Sequence, residues 1–479
     1  MGHKLIARNE ECAIIENCLH SDKSEFLIIC GRRRIGKTFL VDSYFHGKYD
    51  FTFVGSHKAK TAIQLRRFAK ALKDFSGKTC PTFLDWYDAF DALTSYLTSL
   101  PNDKKKVIFI DEMPWIDTRR STFVNALEDF WNGWANRRDD IFLIASGSAT
   151  SWMADNLISN QGGLHNRITQ RIYLKPFTLN ETEEYISNTG SRWGRYDILQ
   201  SYMLTGGVPY YLSLFDYSLS VAQNIDMLCF SESGALRREY DELYNALFTH
   251  ADAYIKVVEI LYAHKEGLTC KDITNVTKFN GSYLKTILKN LEQCNFISRL
   301  ESFGHRSTMI YKLTDFYTLF YLKFIAGNHN LDDNWWIHHI DNQSVKAWQG
   351  LTFELIAIQH HKQIKQALGI AGIATSVSTW RSKGDEETGL SGAQVDMVID
   401  RADRIIHLCE IKFSEGTYNI SNDYENRLRS RLSLFKLKTK TTKTVVHTFI
   451  TTYGIGVGKH NSIVHSEITM DALFAKLFV

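Results

Sequence analysis

Several features are scarce in this chain of 479 residues, and each scarcity excludes a class of protein. There are only five prolines, the last of them Pro209. No apolar run approaches the ~18 residues that a membrane-spanning helix needs. The eight cysteines form no Cys-x-x-Cys pair and no cluster with histidine at zinc spacing. The first residues have no apolar signal-peptide core. We therefore expect a cytoplasmic protein with reduced thiols, no structural zinc and no membrane segment.

An excess of charge of one sign is also lacking. The net charge is +3, which neither demands nor excludes nucleic acid, so any basic surface must be local. Hydrophobic residues make up 44% and charged residues 23%, as in an ordinary globular protein. The length suggests about three domains.

The stretch Phe26–Leu40 organises the N-terminal part of the chain. The apolar run Phe26–Cys30 predicts a buried parallel strand, and a helical run follows Thr38. Between them lies a full match to the phosphate-binding pattern G-x-x-x-x-G-K-[ST], formed by Gly31, Arg32, Arg33, Arg34, Ile35, Gly36, Lys37 and Thr38. Such a loop aims backbone N–H groups and a helix N-terminus at phosphate oxygens. The alternative is a glycine turn with solvated arginines, and the flanking strand and helix argue against it.

The chemistry of this loop predicts ATP and Mg²⁺ as ligands. Lys37 can reach the β- and γ-phosphates, and the Thr38 hydroxyl can ligate Mg²⁺. A second apolar strand, 107–110, ends in Asp111 and Glu112. We expect Asp111 to hold Mg²⁺ through water and Glu112 to polarise the attacking water.

Further polar residues follow the next predicted strands. Ser146 and Ser148 end the apolar run 141–145, where a hydroxyl can sense the γ-phosphate; a helix N-cap is the alternative role. Arg167 and Arg171 flank a short strand. Either arginine can act across a subunit boundary on a neighbour's nucleotide, or it is simply solvated.

Helices are predicted on both sides of this nucleotide-binding region. Asn9 is a candidate N-cap of a helix that either covers the adenine or only packs. Residues 178–235 are predicted to be helical, interrupted at Gly206-Gly207-Val208-Pro209, where one helix ends and another begins. The order of these elements along the chain, in which strands alternate with helices, predicts a doubly wound parallel sheet with its ligand at the carboxyl ends of the strands.

Five segments together resemble one family: Arg8-Asn9-Glu10, GRRRIGKT, IFIDE, IASGS and GGVP. They are similar to the archaeal and bacterial ATPase group of the AAA-related P-loop proteins, which also resembles the STAND signalling ATPases and origin-recognition ATPases. The resemblance covers roughly residues 3–235. It implies a small helical lid in which a Gly-x-Pro turn, here Gly207 and Pro209, couples nucleotide state to domain movement.

Residues 253–313 resemble a winged helix-turn-helix, with three short amphipathic helices followed by two strands. Four basic residues could contact DNA phosphates: Lys285, Lys289, His305 and Arg306. The alternative is that the module only packs against the ATPase. An aromatic helix, 314–324, is predicted to be buried between domains, with a base-stacking platform as the alternative.

The C-terminal third carries charged residues inside apolar segments. Glu354 lies in a helix, Asp396 in a strand, and Glu410 and Lys412 in the next strand. Such charges are costly unless they hold a metal or each other. The pattern suits metal-dependent phosphodiester cleavage, with Glu354, Asp396 and Glu410 binding Mg²⁺ and Lys412 positioning water.

This pattern resembles the PD-(D/E)xK fold of restriction-type nucleases over residues 340–479, although the proline before Asp396 is missing. The resemblance implies that Tyr424, Arg427 and Arg431 help to hold a DNA backbone. Basic residues across 427–443 support a polyanion partner. The alternative is a structural ion-pair cluster on a degenerate nuclease fold.

The sequence thus predicts an α/β multidomain protein. Its domains are a P-loop NTPase core with a parallel sheet (1–177), a helical lid (178–245), a winged helix-turn-helix (246–330) and a nuclease-like α/β domain (331–479). The leading hypothesis is an ATP-hydrolysing protein that acts on DNA, with nucleotide state gating a metal-dependent nuclease. One alternative is a nucleotide-dependent switch or assembly platform, including a homo-oligomer that forms with nucleotide, whose C-terminal domain only binds DNA or a protein partner. The other is a transcriptional regulator that acts through the winged helix.

Overall fold

The fold is taken from a computed structural model. It describes residues 5–118, 120–148, 150–153, 157, 167–248, 250–328 and 332–477, although it leaves out the side chains of 150, 151 and 305–308. The chain divides into two compact units. The N-terminal unit is drawn from residues 1–176, 243–251 and 289–294; the C-terminal unit is drawn from 177–242, 252–288 and 295–479.

A five-stranded parallel sheet forms the centre of the N-terminal unit, with the order β2-β3-β4-β1-β5. The strands are β1 (Glu25–Cys30), β2 (Phe51–Val54), β3 (Lys106–Asp111), β4 (Ile141–Gly147) and β5 (Gln170–Tyr173). The three central strands, β1, β3 and β4, are buried along their whole length, which explains their continuous apolar runs. The predicted parallel sheet is therefore confirmed.

Helices cover both faces of this sheet. They are α1 (Asn9–Leu19), α2 (Lys37–Phe45), α3 (Thr61–Ser76), α4 (Trp86–Ser99), α5 (Met113–Ile116), α6 (Phe123–Asp129), continued by a π-helix (Phe130–Trp134), and α7 (Thr150–Met153). Alternate residues of β1 point to opposite faces. Phe26 and Ile28 pack in one apolar cluster with Trp131, while Leu27 and Ile29 pack in another.

The start of α1 differs from the prediction. Asn9 is the first residue inside the helix, and Arg8 takes the capping position with φ 65° and no side-chain cap bond. The prediction that Asn9 caps this helix is therefore wrong. The Arg8 side chain cannot cap the helix N–H groups, because a guanidinium has no acceptor, and it donates instead to the carbonyls of Ile35 and Lys175.

Residues 178–230 of the C-terminal unit are mostly helical, as predicted. The helices are α8 (Leu179–Ser187), α9 (Arg195–Thr205), α10 (Pro209–Ser213) and α11 (Val221–Ile225), continued by a π-helix (Asp226–Phe230). Helix α9 ends at Thr205, before Gly206 and Gly207 at positive φ, and Pro209 is the first residue of α10. The predicted break at Gly-Gly-Val-Pro is confirmed.

The remaining helices are α12 (Glu239–Leu247), α13 (Ala251–Ala263), α14 (Cys270–Thr277), α15 (Gly281–Gln293), α16 (Phe316–Phe320) with its π-helical continuation (Tyr321–Ile325), α17 (Trp335–His339), α18 (Gln343–Gln359), α19 (His361–Ala367) and α20 (Asn422–Thr439). Helix α14 begins at Cys270, because Leu268 and Thr269 form a short strand. The rings of Phe320 and Phe324 pack against Trp336 and Trp348, so they do not form a base-stacking surface.

One eight-stranded sheet runs through the C-terminal unit in the order β13-β12-β11-β10-β9-β7-β8-β6. Its strands are β6 (Leu268–Thr269), β7 (Ile297–Ser302), β8 (His305–Leu313), β9 (Thr375–Ser382), β10 (Ala393–Arg401), β11 (Ile405–Lys412), β12 (Thr444–Thr451) and β13 (Val464–Thr469). Ser302 of β7 pairs with Thr379 of β9. The β7–β8 hairpin and the C-terminal strands therefore belong to the same sheet.

Candidate active site

The loop between β1 and α2 is shaped by close backbone approach. A Cβ at Gly31 would lie 2.6 Å from the Leu174 carbonyl oxygen, and Gly36 has φ 84°. Only glycine meets both conditions without strain. The loop encloses the Lys37 ammonium, which donates to the carbonyl oxygens of Gly31 at 3.1 Å and Arg32 at 3.2 Å. Lys37 is the first residue of α2, so the helix N-terminus lies at the same place.

Lys37 is buried, and the burial lowers the pKa of its ammonium. Glu112 and Asp111 oppose this effect, because their negative charges favour the protonated form. Both carboxylates therefore lie within electrostatic reach of the lysine, at the carboxyl end of β3 as the sequence predicts.

Asp111 is held by hydroxyl groups on both of its oxygens. The Thr38 hydroxyl donates to Oδ2 at 2.6 Å, and the Ser146 hydroxyl donates to Oδ1. The backbone N–H of Glu112 also donates to Oδ1, at 2.8 Å. Ser146, which the sequence offered together with Ser148 as a γ-phosphate sensor, thus contacts the carboxylate expected at the metal.

Glu112 has a left-handed backbone, with φ 47° and ψ 47°. Its carboxylate accepts the Ser148 hydroxyl at 2.5 Å and the Ser148 backbone N–H at 3.2 Å. The Ser148 oxygen in turn accepts a hydrogen bond from Lys37 Nζ at 2.8 Å. Ser148 therefore connects the lysine of the loop to the carboxylate expected to polarise water.

The donor set fits a nucleotide with Mg²⁺. A buried lysine, a helix N-terminus and a glycine loop are the groups that bind phosphate oxygens. A hydroxyl and a carboxylate, Thr38 and Asp111, are oxygen ligands that suit Mg²⁺. The Thr38 hydroxyl oxygen and Asp111 Oδ2 are already 2.6 Å apart.

The other predicted residues of this region are placed as follows. Arg32 and Ile35 are buried, whereas Arg33 and Arg34 are half-buried. Arg167 and Arg171 are exposed. Pro209 belongs to the C-terminal unit.

One residue near the loop was missed as a site residue. The buried Arg8 guanidinium donates to the Lys175 carbonyl at 2.7 Å and to the Ile35 carbonyl at 3.5 Å. It thus ties the phosphate loop to the segment after β5. From the sequence, Arg8 was noted only as part of the family resemblance, because an arginine just before a helix is usually a solvated surface residue.

The C-terminal unit brings its predicted charged residues near one another. Met397 pairs with Cys409 across antiparallel β10 and β11, so the adjoining residues Asp396 and Glu410 lie at the same end of these two strands. The pKa of Glu354 is raised to about 7, mainly by burial and also by the charges of Asp396 and Glu410, while Lys312 and Lys412 act to lower it. The other three predicted side chains therefore all lie within electrostatic reach of Glu354.

Lys312, on β8, is a member of this cluster that the sequence analysis missed. Its Nζ lies 3.6 Å from Asp396 Oδ1, and the side chain is almost fully buried. The only sequence indication was a charge within the apolar strand Ile310–Leu313. The pairing of hairpin and sheet, which brings it here, depends on residues distant in sequence.

Glu410 is buried and engaged through both oxygens. The Tyr424 hydroxyl donates to Oε2 at 2.7 Å, and Arg431 pairs with Oε1. Lys412 Nζ and the Arg427 guanidinium each lie 5.2 Å from the centre of the Tyr424 ring. Across the described ranges, no three His, Cys, Asp or Glu side chains are grouped to hold a metal ion. In this arrangement Glu410 pairs with Arg431, and Asp396 pairs with Lys312.

The predicted DNA-contacting residues have separate places. Lys285 and Lys289 are exposed on α15. The side chains of His305 and Arg306 lie outside the part of the chain that the structure describes. Between strands β7 and β8, the Phe303 ring packs with its centre 5.1 Å from that of Phe435, and the Phe303 N–H donates to the Thr379 carbonyl at 2.8 Å.

Among the residues described, no helix is long and apolar enough to cross a membrane.

The parallel sheet, the phosphate loop and the acidic end of β3 together define a P-loop ATPase. Residues 5–249 match the model of a family described as an ATPase domain predominantly from Archaea, and the chain belongs to that family.

Three further proteins are similar to between 67% and 80% of this chain. The uncharacterized protein MJECL04 of Methanocaldococcus jannaschii is 24% identical over 394 residues, which cover 80% of this chain and 82% of that protein. The Walker-type ATPase of Pyrococcus abyssi is 16% identical, with TM-score 0.49 over 67% of this chain and 96% of that chain. The ORC2 protein of Aeropyrum pernix is 12% identical, with TM-score 0.41 over 72% of this chain and 96% of that chain.

Proposed function

We propose that this ATPase is a nucleotide-dependent switch whose C-terminal unit acts on DNA. The observation that carries the proposal is the chain of contacts from Lys37 through Ser148 to Glu112. Lys37 and the loop N–H groups bind the phosphates, Glu112 polarises the attacking water, and Ser148 reports the γ-phosphate to it. Thr38 and Asp111 hold Mg²⁺, which supplies positive charge to the phosphates when bound.

The C-terminal unit supports a switch, because the helical segment predicted as a lid is built into it. The Leu179 N–H donates to His360 Nε2 at 3.0 Å, and Arg195 pairs with Asp471 at 2.9 Å. The Gly207 carbonyl accepts from the N–H of Phe177, the first residue of the unit, at 2.8 Å. A displacement at residue 177 would therefore be passed to the lid and the large sheet together.

The first test combines hydrolysis with assembly. We expect phosphate release from ATP by the wild-type chain and its loss in Glu112→Gln. On a sizing column, ATP and ADP should give different elution volumes for the wild type. Identical elution with ATP, ADP and no nucleotide, in a chain that hydrolyses ATP, would refute the switch while leaving the ATPase in place.

DNA contact is proposed through α15 rather than through the β7–β8 hairpin. Helices α13 to α15 and this hairpin have the element order of a winged helix-turn-helix, and α15 exposes Lys285 and Lys289. The turn of the hairpin is occupied, since Phe303 packs on Phe435. Duplex binding should fall with salt and weaken in Lys285→Glu/Lys289→Glu. The control is Lys70→Glu/Lys73→Glu on exposed positions of α3, and equal weakening there would remove α15 from the proposal.

A metal-dependent nuclease is the second candidate, favoured by the electrostatic proximity of Glu354, Asp396, Glu410 and Lys412. For cleavage, Glu410 would have to leave Arg431 and Tyr424. The test is plasmid nicking with Mg²⁺ and ATP, comparing wild type, Glu410→Ala and the exposed control Glu415→Ala. Nicking that is absent, or equal in all three proteins, rejects nuclease chemistry.

A further inference from the structure

The C-terminal unit contains a cavity of about 440 Å³ that neither proposed activity uses. Its walls come from the β7–β8 hairpin, helices α18 and α19, and strand β9. These are all elements of the C-terminal unit. The volume lies within the ~300–1,000 Å³ typical of small-molecule sites.

The charged groups of this cavity have one sign. Lys312 and Lys365 line it, together with His361, whose pKa is lowered by burial so that its neutral form is favoured, and no aspartate or glutamate is among the described lining residues. The Lys365 ammonium donates to the Thr375 hydroxyl at 3.1 Å, and it forms no ion pair with a carboxylate within the described ranges. Lys312 is 3.6 Å from Asp396, too far for a hydrogen bond, so its donors are not all used.

The rest of the wall is apolar, apart from hydroxyl groups and the side-chain amide of Gln359. Leu300, Leu355, Ile358 and Val377 form the apolar part, with Ser298 and Thr314 beside Lys312 on the hairpin. A cavity with cations on one part of its wall and aliphatic side chains on another selects a ligand with an anionic head and a body that stacks on aliphatic surface. Lysine ammonium groups and hydroxyls together satisfy the several oxygens of a phosphate better than the two of a carboxylate.

We propose that this cavity binds a nucleotide-sized organic phosphate, with its phosphate at Lys365 and Lys312 and its base or sugar against Leu355 and Val377. The ligand would compete with Asp396 for Lys312. The site would therefore be coupled to the carboxylate cluster, and it is distinct from the phosphate loop.

The test is calorimetric titration of 5′-AMP into the full chain carrying Lys37→Ala, which weakens nucleotide binding at the phosphate loop. We expect saturable binding with one site per chain. Adding Lys365→Glu should weaken it at least tenfold, because repulsion replaces attraction at the phosphate. Lys362→Glu is the matched control: it lies on the same helix, is exposed and does not line the cavity, so it should leave binding unchanged.

Two further ligands test the contributions of the nucleoside and the phosphate separately. Adenosine should not bind measurably, and inorganic phosphate should bind more weakly than 5′-AMP. Adenosine binding as tightly as 5′-AMP, no saturable binding in Lys37→Ala, or equal weakening by Lys362→Glu and Lys365→Glu would each overturn the proposal. Thermal unfolding midpoints of both variants, compared with that of Lys37→Ala, show whether a lost signal reflects lost folding.

Discussion

The Lys37 ammonium donates a hydrogen bond to the Ser148 hydroxyl oxygen at 2.8 Å, although the two residues are 111 positions apart in the chain. Lysine and serine come from the amino end of α2 and the carboxyl end of β4. Because strands β1 and β4 are parallel neighbours, their carboxyl ends lie side by side. The contact makes Lys37, Ser148 and Glu112 one connected group, from which the first two predictions follow.

Replacing Lys37 by alanine should weaken ATP binding by roughly 10- to 100-fold, since a charge-assisted hydrogen bond contributes roughly 1.5–3 kcal/mol. The measurement is titration with a fluorescent ATP analogue. Lys48→Ala, at an exposed position just beyond α2, is the control and should bind as the wild type does. Unchanged affinity in Lys37→Ala would overturn the assignment of the phosphate loop.

Glu112→Gln should slow ATP hydrolysis by about 10²- to 10⁴-fold, because the amide cannot accept a proton from water. ATP binding should persist, since the phosphate-binding groups are intact. Ser148→Ala should give a smaller loss of turnover, because it frees Glu112 without removing it. Steady-state phosphate release measures both variants. If Ser148→Ala hydrolyses ATP at the wild-type rate, the contact has no role in catalysis.

The free energy of unfolding should depend on the buried ion pairs of Asp140 at the amino ends of β3 and β4. Arg138 holds this carboxylate at 2.6 Å, and the buried Lys106 also pairs with it. Arg138, with help from Lys106, lowers the pKa of Asp140 from 3.8 to about 2, against the opposing effect of burial. A lowered pKa stabilises the folded state above pH 3.8, and that contribution is lost as the pH falls toward about 2.

Asp140→Asn should therefore lose about 3 kcal/mol at pH 7, because it leaves Lys106 buried without its carboxylate. The difference from the wild type should shrink in urea unfolding as the pH falls below 4, which is near the ordinary pKa of aspartate. The neighbouring Asp139→Asn is the control, since Asp139 is exposed. A pH-independent difference would mean that ionisation of Asp140 is not the cause.

Gly207→Ala should lower the stability of the C-terminal unit by more than the strain of a positive φ alone explains. Gly207 has φ 73°, and a Cβ there would overlap the Phe177 carbonyl oxygen. Gly190 has a similar φ of 79° with nothing within 4 Å of the added atom, so Gly190→Ala measures the backbone cost alone. That cost is roughly 1 kcal/mol. Thermal unfolding of both variants compares them, and equal midpoints would show that the contact with Phe177 yields easily.

The sequence alone determined the N-terminal sheet and the edge at which its phosphate loop lies. Long apolar runs predict strands buried on both faces, and the residues after Cys30, Ile110 and Ala145 must then meet at one edge. Phosphate-loop chemistry is local, so Gly31 to Thr38 were identifiable by spacing. The charges of Asp396, Glu410 and Lys412 also stood out, because a strand rarely buries charge without a partner.

Only the tertiary structure decided which partners these groups have. Glu410 faces Arg431 and Tyr424, and Asp396 faces Lys312 from a hairpin 84 positions earlier. These contacts depend on strand pairing and helix packing between distant residues, for which alternation and spacing carry no information. The same holds for Arg8, whose two backbone partners exist only once the loop and the segment after β5 have come together.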